Sequence, residues 1–244
     1  MNDLHGDRAT WRFDGETVLI RYHTGAFKNA MLKELGRCSV PVSAISAAEF
    51  DVFAGKRKRW ALRLRLREKA DPYAAVGAML NARSQPFVLV GPASTELVAE
   101  YLAEQLHFAA QQADPPGGAP PVLATRLVPP LPLHIQTSEG TAAFDGSTVR
   151  LIWAGSEASS RKKKAHRREF ALADITGVEW VPEDDWGNGH IRINTADATE
   201  EEITKPKHDL SCLMTKDGKQ VARGLMMAAT ITAYLWAGKR PELD

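Results

Sequence analysis

A six-residue pattern, Phe-Asp-Gly-x-Thr-Val, occurs twice in this chain, and the repeat limits the fold more than any other feature. The first copy spans residues 13–18 and the second spans residues 144–149. In both copies an Asp-Gly pair stands between runs of apolar and β-branched residues, which is a strong signal for a β-hairpin. Glycine and aspartate tolerate positive φ angles, so we expect a type I′ turn with the Asp-Gly pair at its centre.

The residues that follow each turn alternate between two sets of side chains. Alternation with a period of two places one set on a single face of a strand. The large apolar residues predicted to face a core are Val18, Ile20 and Tyr22 in the first copy and Val149, Leu151 and Trp153 in the second.

Two further blocks of sequence repeat in the same order. Residues 40–50 match residues 170–180, where a strand leads to a polar turn, an isoleucine and then a glutamate followed by an aromatic residue. Residues 61–65 match residues 190–194. The spacing between matched positions drifts from 131 to 130 to 129, as small length changes in loops would cause. Three matches in the same order predict a duplication of one small β-rich domain.

Each half ends in a pattern typical of an amphipathic helix. In the first half, the apolar stripe predicted to face the core consists of Leu97, Val98, Tyr101, Leu102 and Leu106. In the second half, a similar stripe runs from Val221 to Trp236.

A proline-rich stretch separates the two halves. Prolines and glycines dominate residues 113–121, and further prolines stand in residues 129–132. Because proline fixes φ and lacks an N–H donor, we expect a semi-rigid linker that is neither helix nor central strand. Residues 123–128 within this linker could pack on a domain surface. The predicted domains are a first repeat at 1–110, a linker at 111–133 and a second repeat at 134–244.

Five to seven short strands followed by one helix, in each half, favour the layout of a pleckstrin-homology-like barrel, in which the helix closes one end of a bent antiparallel sheet. The predicted fold class is mainly β with α: two tandem pleckstrin-homology-like β-barrels, each closed by a C-terminal helix. The strand count alone also fits other small β-barrels, and the final helix is what favours this one.

These motifs together resemble a known family. The doubled Phe-Asp-Gly-x-Thr-Val pattern, the Ile-x-x-x-Glu-aromatic block, the Leu-Arg-Leu-Arg strand at 62–65 and the proline-rich spacer are similar to an actinobacterial family catalogued as domain of unknown function 4429, usually in tandem. The resemblance covers about residues 9–238. It implies a pleckstrin-homology-like fold and assigns no reaction and no catalytic residue. Residues 74–85 depart from the family's pattern in the first repeat.

Composition excludes several classes of protein. The net charge of +1 gives no overall attraction to nucleic acid or membrane. Two cysteines, Cys38 and Cys212, are too few for a disulfide scaffold and lack metal-site spacing. The N-terminal residues are polar and contain no apolar core of a signal peptide. We therefore expect a cytoplasmic protein with reduced thiols, with peripheral attachment to a membrane as the alternative.

Two basic runs are the candidate anion-binding or lipid-binding sites. The longer run has six cations in eight residues and is predicted to be a loop of the second domain. In pleckstrin-homology-like folds, loops between early strands commonly bind anionic head groups. The candidates are Arg161, Lys162, Lys163, Lys164, Arg167 and Arg168, together with Lys56, Arg57, Lys58 and Arg59 in the first domain. The alternative is a solvated loop, which the acidic runs at 183–185 and 200–202 could neutralise.

Two other features can each be interpreted either as a binding site or as part of the structure. Arg63, Arg65 and Arg67 alternate with leucines, and could form a positive strip or an outward strand face paired with acids on neighbouring strands. Nucleic acid is not an expected partner, because no aromatic residues that could stack on bases are interleaved with these arginines. Trp186, in an acidic, turn-rich segment, is either a partner-binding anchor or a cap on the barrel.

The sequence predicts no catalytic, metal or cofactor site. The histidines are scattered, and there is no phosphate-binding glycine loop and no nucleophile elbow. The leading hypothesis is a non-enzymatic adaptor that presents two domains to a protein partner, and the alternative is peripheral binding to anionic lipid or phosphate groups through residues 161–168. An enzyme would need a deep polar cleft with convergent titratable groups. The oligomeric state is left open.

Overall fold

The structure is a computed structural model that describes residues 3–23, 29–53, 58–77, 80, 84–113, 120–182, 189–196 and 205–238. The chain divides into two compact units. The first unit comprises Met1–Asp71 and Asn81–Leu127, and the second comprises Pro72–Leu80 and Val128–Asp244. The second unit therefore includes a short segment from the first half of the sequence.

The described part of the first unit contains seven strands in two antiparallel sheets. The four-stranded sheet has the order β1-β2-β3-β4 and the three-stranded sheet has the order β5-β6-β7. The strands are β1 (Leu4–His5), β2 (Ala9–Phe13), β3 (Thr17–Tyr22), β4 (Arg37–Pro41), β5 (Ile45–Phe53), β6 (Arg59–Leu66) and β7 (Val88–Pro92). The helices are α1 (Ala30–Leu35), α3 (Glu96–Gln112) and α4 (Pro120–Ala124).

The second unit repeats this arrangement in its described residues. Its sheets have the orders β8-β9-β10-β11 and β12-β13-β14. The strands are β8 (Leu133–Gln136), β9 (Thr141–Phe144), β10 (Thr148–Ile152), β11 (Arg167–Ala171), β12 (Ile175–Val181), β13 (Gly189–Thr195) and β14 (Cys212–Thr215). The helices are α2 (Pro72–Val76), α5 (Ser160–Ala165) and α6 (Gly218–Gly238). The mainly β architecture with a long helix after the seventh strand is thus confirmed for both halves.

Neither sheet of either unit closes into a barrel within the described ranges. Each three-stranded sheet is a separate ladder that follows the four-stranded one in sequence. The prediction of a mainly β fold with helices is therefore confirmed, with four antiparallel sheets in the described residues.

The repeated hairpins are present, but their turn differs from the predicted type I′. Only the glycines, Gly15 and Gly146, have positive φ, at 106° and 101°, whereas a type I′ turn needs positive φ at both central residues. The aspartate, which is the first residue of the turn, contributes through its side chain and not through a positive φ angle. Its carboxylate accepts hydrogen bonds from the backbone N–H groups two and three residues later, at 3.0 and 2.8 Å for Asp14 and at 2.9 Å for both bonds of Asp145. Aspartate stabilises the turn through its side chain.

Alternation along the strand after each turn is confirmed. Val18, Ile20 and Tyr22 are buried, and so are Val149, Leu151 and Trp153. These side chains form part of the core under each four-stranded sheet, and burial of such residues is the main source of stability.

A short helix between the third and fourth strands of each unit was not predicted. In α1, the Asn29 side chain accepts a hydrogen bond from the Leu32 N–H at the N-terminus, and Gly36, with φ of 66°, ends the helix. In α5, Ser159 and His166 take the same roles. The prediction that residues 161–168 form a loop is therefore wrong. The capping side chains and the left-handed residue at the end are the signals that sequence analysis overlooked.

The prediction that the proline-rich linker contains no helix is also wrong, because α4 begins at Pro120. Proline is compatible with the first turn of a helix, where the missing N–H would have no partner in the helix. After α4, Leu127 and Val128 of the predicted linker are buried, which agrees with the expectation that residues 123–128 pack on a domain. The boundary between the two units lies between these residues.

The two long helices differ in how they are covered. α6 is buried over most of its surface, because β8, β12 and β13 pack against it and α2 does so as well. α3 packs on β5 and β6 through residues that include Ala99, Leu102 and Leu106. Of the predicted core stripe of α3, Leu97, Val98 and Tyr101 are exposed, so that part of the prediction is wrong.

Candidate functional sites

The longer basic run is only partly a surface feature. Lys162 is fully buried, with 0% of its side chain exposed. Lys163 donates to the Ser156 carbonyl, and Arg168 donates to the Ser211 hydroxyl and lies over the Phe170 ring. Arg161, Lys164 and Arg167 are exposed. The structure therefore removes Lys162 from the predicted surface patch and leaves the other members on α5 and β11.

The buried Lys162 forms an ion pair with Glu139, of which 1% is exposed. Its ammonium nitrogen lies 3.0 and 2.9 Å from the two carboxylate oxygens and 3.0 Å from the Pro206 carbonyl. Glu139 Oε2 also accepts a hydrogen bond of 2.8 Å from the Met214 N–H. All three donors of the ammonium group are used, as a buried cation requires. The pair thereby joins α5, the loop before β9 and the turn that contains Pro206.

Beside this pair lies a polar cleft of about 920 Å³ in the second unit. Its walls come from the β8–β9 connection, the segment before α5, the ends of β12 and β13, and the turn before β14. Its ionisable residues are Glu139, Glu157, His190, Lys205, Lys207, His208 and Lys216. Ser156, Ser159 and Ser160 add hydroxyl groups.

Both carboxylates of the cleft have cationic partners. Glu157 forms an ion pair of 2.5 Å with Lys216 and accepts a hydrogen bond of 3.0 Å from Ser138. These contacts hold the pKa of the Glu157 carboxyl below its usual value. Lys205 and Lys207 make no ion pair with a described carboxylate. The described part of the cleft therefore carries a surplus of positive charge.

His190 gives the cleft an unsatisfied polar group. Its imidazole is 9% exposed and lines the cleft. Its Nε2 atom has no hydrogen-bond partner among the described residues. Burial, together with the positive charge of Arg192, lowers the pKa of His190. The protein environment therefore favours the neutral ring, and its buried Nε2 atom has no partner among the described residues.

An apolar surface lies on α3 in the first unit. The exposed fractions are 79% for Leu97, 58% for Tyr101 and 65% for Phe108, and Val98 is also exposed. Tyr101 and Phe108 line a groove of about 590 Å³ whose other wall includes Phe13 and the Asp14-Gly15 turn. We call Leu97, Val98, Tyr101 and Phe108 the apolar strip of α3. Large exposed apolar patches mark interaction sites on soluble proteins.

The arginine row of β6 has partners on the neighbouring strand. Arg63 and Arg65 both contact Glu49 of β5, at 3.3 and 2.8 Å. Arg67 donates to the carbonyls of Ser43 and Ala110. The structural interpretation, an outward face paired with an acid, fits Arg63 and Arg65.

The remaining predicted site residues fall partly outside the described structure. Lys56, Arg57 and Trp186 lie outside the described residues. Lys58 is exposed, and Arg59 forms an ion pair with Asp7. Of the two residues of the shorter basic run that the structure describes, Lys58 alone has no ion pair with a described residue.

The two cysteines are free and buried. Burial raises the pKa of each thiol to about 12. A thiol with such a pKa is a poor nucleophile at neutral pH. Among the described residues, no three His, Cys, Asp or Glu side chains are grouped as metal ligands. The described helices also include none with the length and hydropathy needed to cross a membrane.

Sequence analysis missed the cleft because its residues are far apart in the chain. Glu139 lies in the β8–β9 connection, His190 lies in β13, and Lys205–His208 form the turn before β14. The one local signal was the sequence Lys-Pro-Lys-His at 205–208, where two lysines flank a proline that disfavours regular structure.

Comparison with protein families gives one result. The model of the family described as "Domain of unknown function (DUF4429)" matches residues 11–107 and residues 142–232. None of the curated proteins compared with this chain matches it.

Proposed function

The chain belongs to the DUF4429 family and contains two copies of its domain. We propose that it is a non-enzymatic adaptor that binds a protein partner through the apolar strip of α3. The proposed place of action is the cytoplasm. The observation that carries the proposal is the open apolar face of this helix, whose counterpart in the second unit is covered.

We also propose that each unit is a pleckstrin-homology-like domain. In both, a four-stranded antiparallel sheet is followed by a three-stranded one and then by a long helix. That order is the one expected for such a domain, and the fold works by presenting surfaces. Fold alone does not assign a function, so the site must carry the argument.

The two long helices can be compared position by position. The family matches end at residues 107 and 232, and gapless alignment of α3 with α6 from that point pairs buried residues with buried residues. The counterparts of Leu97, Tyr101 and Phe108 are Ala222, Met226 and Ala233, all of which are buried. In the second unit, α2 packs on α6, and Gly77, just after α2, lies against Leu225. The corresponding face of α3 is open in this structure.

The chemistry of this open face identifies the kind of partner. Leu225 has Glu100 as its counterpart, and Ala229 has Glu104. These glutamates are exposed beside the apolar strip and make no ion pair with a described residue. A short amphipathic helix with an apolar face and lysines or arginines at its edge would complement this surface. The partner is therefore a protein with a basic amphipathic helix.

Site-specific photocrosslinking tests the proposal in cells that express the protein natively. A photoreactive phenylalanine replaces Tyr101, and the matched control carries it in place of Lys164 on the second unit. We expect a partner crosslinked only from position 101, through a basic amphipathic helix that mass spectrometry identifies. The double variant Glu100→Lys with Glu104→Lys should abolish this crosslink and retain the melting temperature of the parent.

Three outcomes would overturn the proposal. They are an equal yield from the control position, no crosslink above background, and a crosslink to a second copy of the chain. Flotation with anionic vesicles tests the lipid alternative, using the variant Arg161→Gln, Lys164→Gln and Arg167→Gln. Binding that depends on these three cations would favour a membrane surface over a protein partner.

A further inference from the structure

We infer that the groove between α3 and the β2–β3 turn of the first unit binds the cationic head of a partner's arginine or lysine side chain. The inference rests on the proposed function, because it specifies how the surface at the apolar strip of α3 recognises a basic helix. Three features support it: the aromatic walls of the groove, an unpaired carboxylate oxygen at its edge, and the way in which the second repeat fills the same place.

The walls of this groove are aromatic. Tyr101 and Phe108 lie on the same face of α3, and Phe13 is the last residue of β2. Tyr101 and Phe108 are more than half exposed, and the groove has a volume of about 590 Å³. The face of an aromatic ring attracts an ammonium or guanidinium group, and guanidinium also stacks on such rings. The groove therefore has the walls that a cation-binding site requires.

Asp14 supplies a carboxylate at the edge of the groove. Its Oδ1 atom accepts hydrogen bonds from the Glu16 and Thr17 N–H groups, which fix the side chain and lower its pKa. The nearby Arg12 also lowers this pKa, but Asp14 forms no ion pair with a described residue. Its Oδ2 atom has no hydrogen-bond partner within the described ranges. A fixed and ionised carboxylate with one free oxygen can accept a charge-assisted hydrogen bond from a cation.

The corresponding carboxylate of the second repeat already has its cation. Asp145 accepts the same two backbone hydrogen bonds, and its Oδ2 atom accepts a third, of 2.8 Å, from Arg150. The registers of the two hairpins place Leu19 at the position that Arg150 occupies in the second repeat. The first repeat therefore keeps the carboxylate and lacks the cation that pairs with it.

The groove itself is filled in the second repeat. The ring of Tyr234 on α6 packs edge-on against Phe144, with 5.5 Å between the ring centroids. A Cβ atom on Gly146, in the β9–β10 turn, would lie 2.9 Å from Leu131 and 3.8 Å from Tyr234. Side chains of the second unit thus occupy the space between its long helix and its hairpin turn.

The same space is open in the first repeat. A Cβ atom on Gly15, the counterpart of Gly146, would meet nothing within 4 Å. In the gapless alignment of α3 with α6, Ala109 takes the place of Tyr234. The open groove and the unpaired carboxylate therefore belong to the first repeat alone, so the common fold does not require them.

A long basic side chain fits both parts of the site. Its alkyl stem packs on aromatic rings while its charged head reaches the carboxylate. An uncharged apolar side chain would fill the groove but leave the free oxygen of Asp14 without a partner. Lysines or arginines at the edge of the partner's helix are the side chains that the proposed function already requires.

Nuclear magnetic resonance titration of the isotope-labelled full chain tests the site without the partner. The probe is N-acetyl-arginine amide, and the control ligand is N-acetyl-citrulline amide, which has a similar shape and no charge. We expect arginine, but not citrulline, to shift the backbone amide signals of Gly15 and Ala109. The signal of Gly146 should not respond, because the groove beside it is filled.

Two variants should weaken the binding of the arginine probe. Asp14→Asn keeps an oxygen for the backbone hydrogen bonds but removes the charge, and should raise the dissociation constant about threefold or more. Ala109→Tyr introduces the ring that fills the groove in the second repeat, and should abolish the shifts. The matched control, Asp145→Asn, removes the same charge from the carboxylate that Arg150 already pairs with, and should bind the probe like the parent.

Photocrosslinking from position 101 separates a failure of the cation site from a failure of the proposed function. A crosslink that Asp14→Asn retains, together with no arginine-dependent shift, would overturn the cation site and leave the proposed partner standing. Arginine-dependent shifts that Asp14→Asn weakens, without any crosslink, would support the cation site and overturn the proposed partner. Equal shifts with citrulline would show that the groove accepts uncharged chains, and would overturn the cation site.

Discussion

Lys162 occupies in the second repeat the position that Leu32 occupies in the first. Each is the third residue of its short helix, each has its backbone N–H bonded to the capping side chain, and each is buried. An apolar residue is therefore compatible with this place in the fold. The second repeat instead buries an ammonium group and requires Glu139 to compensate for it.

This relationship predicts an asymmetric response to mutation. Lys162→Leu alone should lower the free energy of unfolding by about 3–5 kcal/mol, because Glu139 remains buried without its partner. Adding Glu139→Gln should recover most of that loss, since the amide is uncharged and still accepts a hydrogen bond from the Met214 N–H. Urea denaturation of the parent, the single variant and the double variant measures both effects.

The control for this pair is Lys164→Leu, on the same helix but exposed. Its effect on the free energy of unfolding should stay within about 0.5 kcal/mol. A double variant that is no more stable than Lys162→Leu would contradict the claim that the uncompensated carboxylate is the cause.

The contrast between Lys162 and its neighbours shows where sequence reasoning succeeds and where it stops. A run of six cations in eight residues indicates a charged surface, and four of them, Arg161, Lys163, Lys164 and Arg167, are exposed. The burial of Lys162 depends on Glu139, which lies 23 residues earlier in the chain and comes close only through the fold. No local pattern encodes such a partner.

A second prediction follows from His190. Its pKa lies below the ordinary value of 6.5 because burial disfavours the imidazolium. Above that pH the ring is neutral in the folded and unfolded states, so it adds no pH dependence. Below it, the unfolded chain takes up a proton that the folded state resists, and the free energy of unfolding falls until the folded pKa is reached.

Urea denaturation between about pH 8 and about pH 5.5 measures this effect. The parent should lose stability as the pH falls, and His190→Phe should lose less over the same interval. The two proteins differ only at position 190, so the difference between their pH profiles isolates His190. Identical pH profiles would show that this ring does not resist protonation in the folded protein.

The long helices show a different limit of sequence reasoning. The apolar stripe of α3 was correctly assigned as helical, and Leu102 and Leu106 face the core. Leu97 and Tyr101 are large apolar residues like Leu102 and Leu106, yet they are exposed, because no described element covers their face of the helix. In the second unit, α2 covers α6, and it comes from residues 72–76, a segment that departs from the repeat pattern. Periodicity identifies a helix but not what packs on its second face.

The third prediction concerns Gly91 and Trp60, which face each other on β7 and β6. A methyl group on Gly91 would overlap the Trp60 ring. The Nε1–H group of this ring donates a hydrogen bond of 2.8 Å to the Pro92 carbonyl. The corresponding pair in the second unit, Thr215 and Gly189, has the larger residue on the other strand. In the first repeat the sixth strand carries the large side chain of this pair, and in the second repeat the seventh strand carries it.

Gly91→Ala should therefore destabilise the protein by about 1–3 kcal/mol, the usual cost of overpacking a core. The matched control is Gly177→Ala on β12, where an added methyl group meets no atom within 4 Å. This change should be neutral or stabilise by up to about 1 kcal/mol, because alanine restricts the unfolded chain. Thermal unfolding followed by Trp fluorescence compares the two. Equal melting temperatures for Gly91→Ala and the parent would mean that Trp60 moves at no cost, and the close packing of this pair would not contribute to stability.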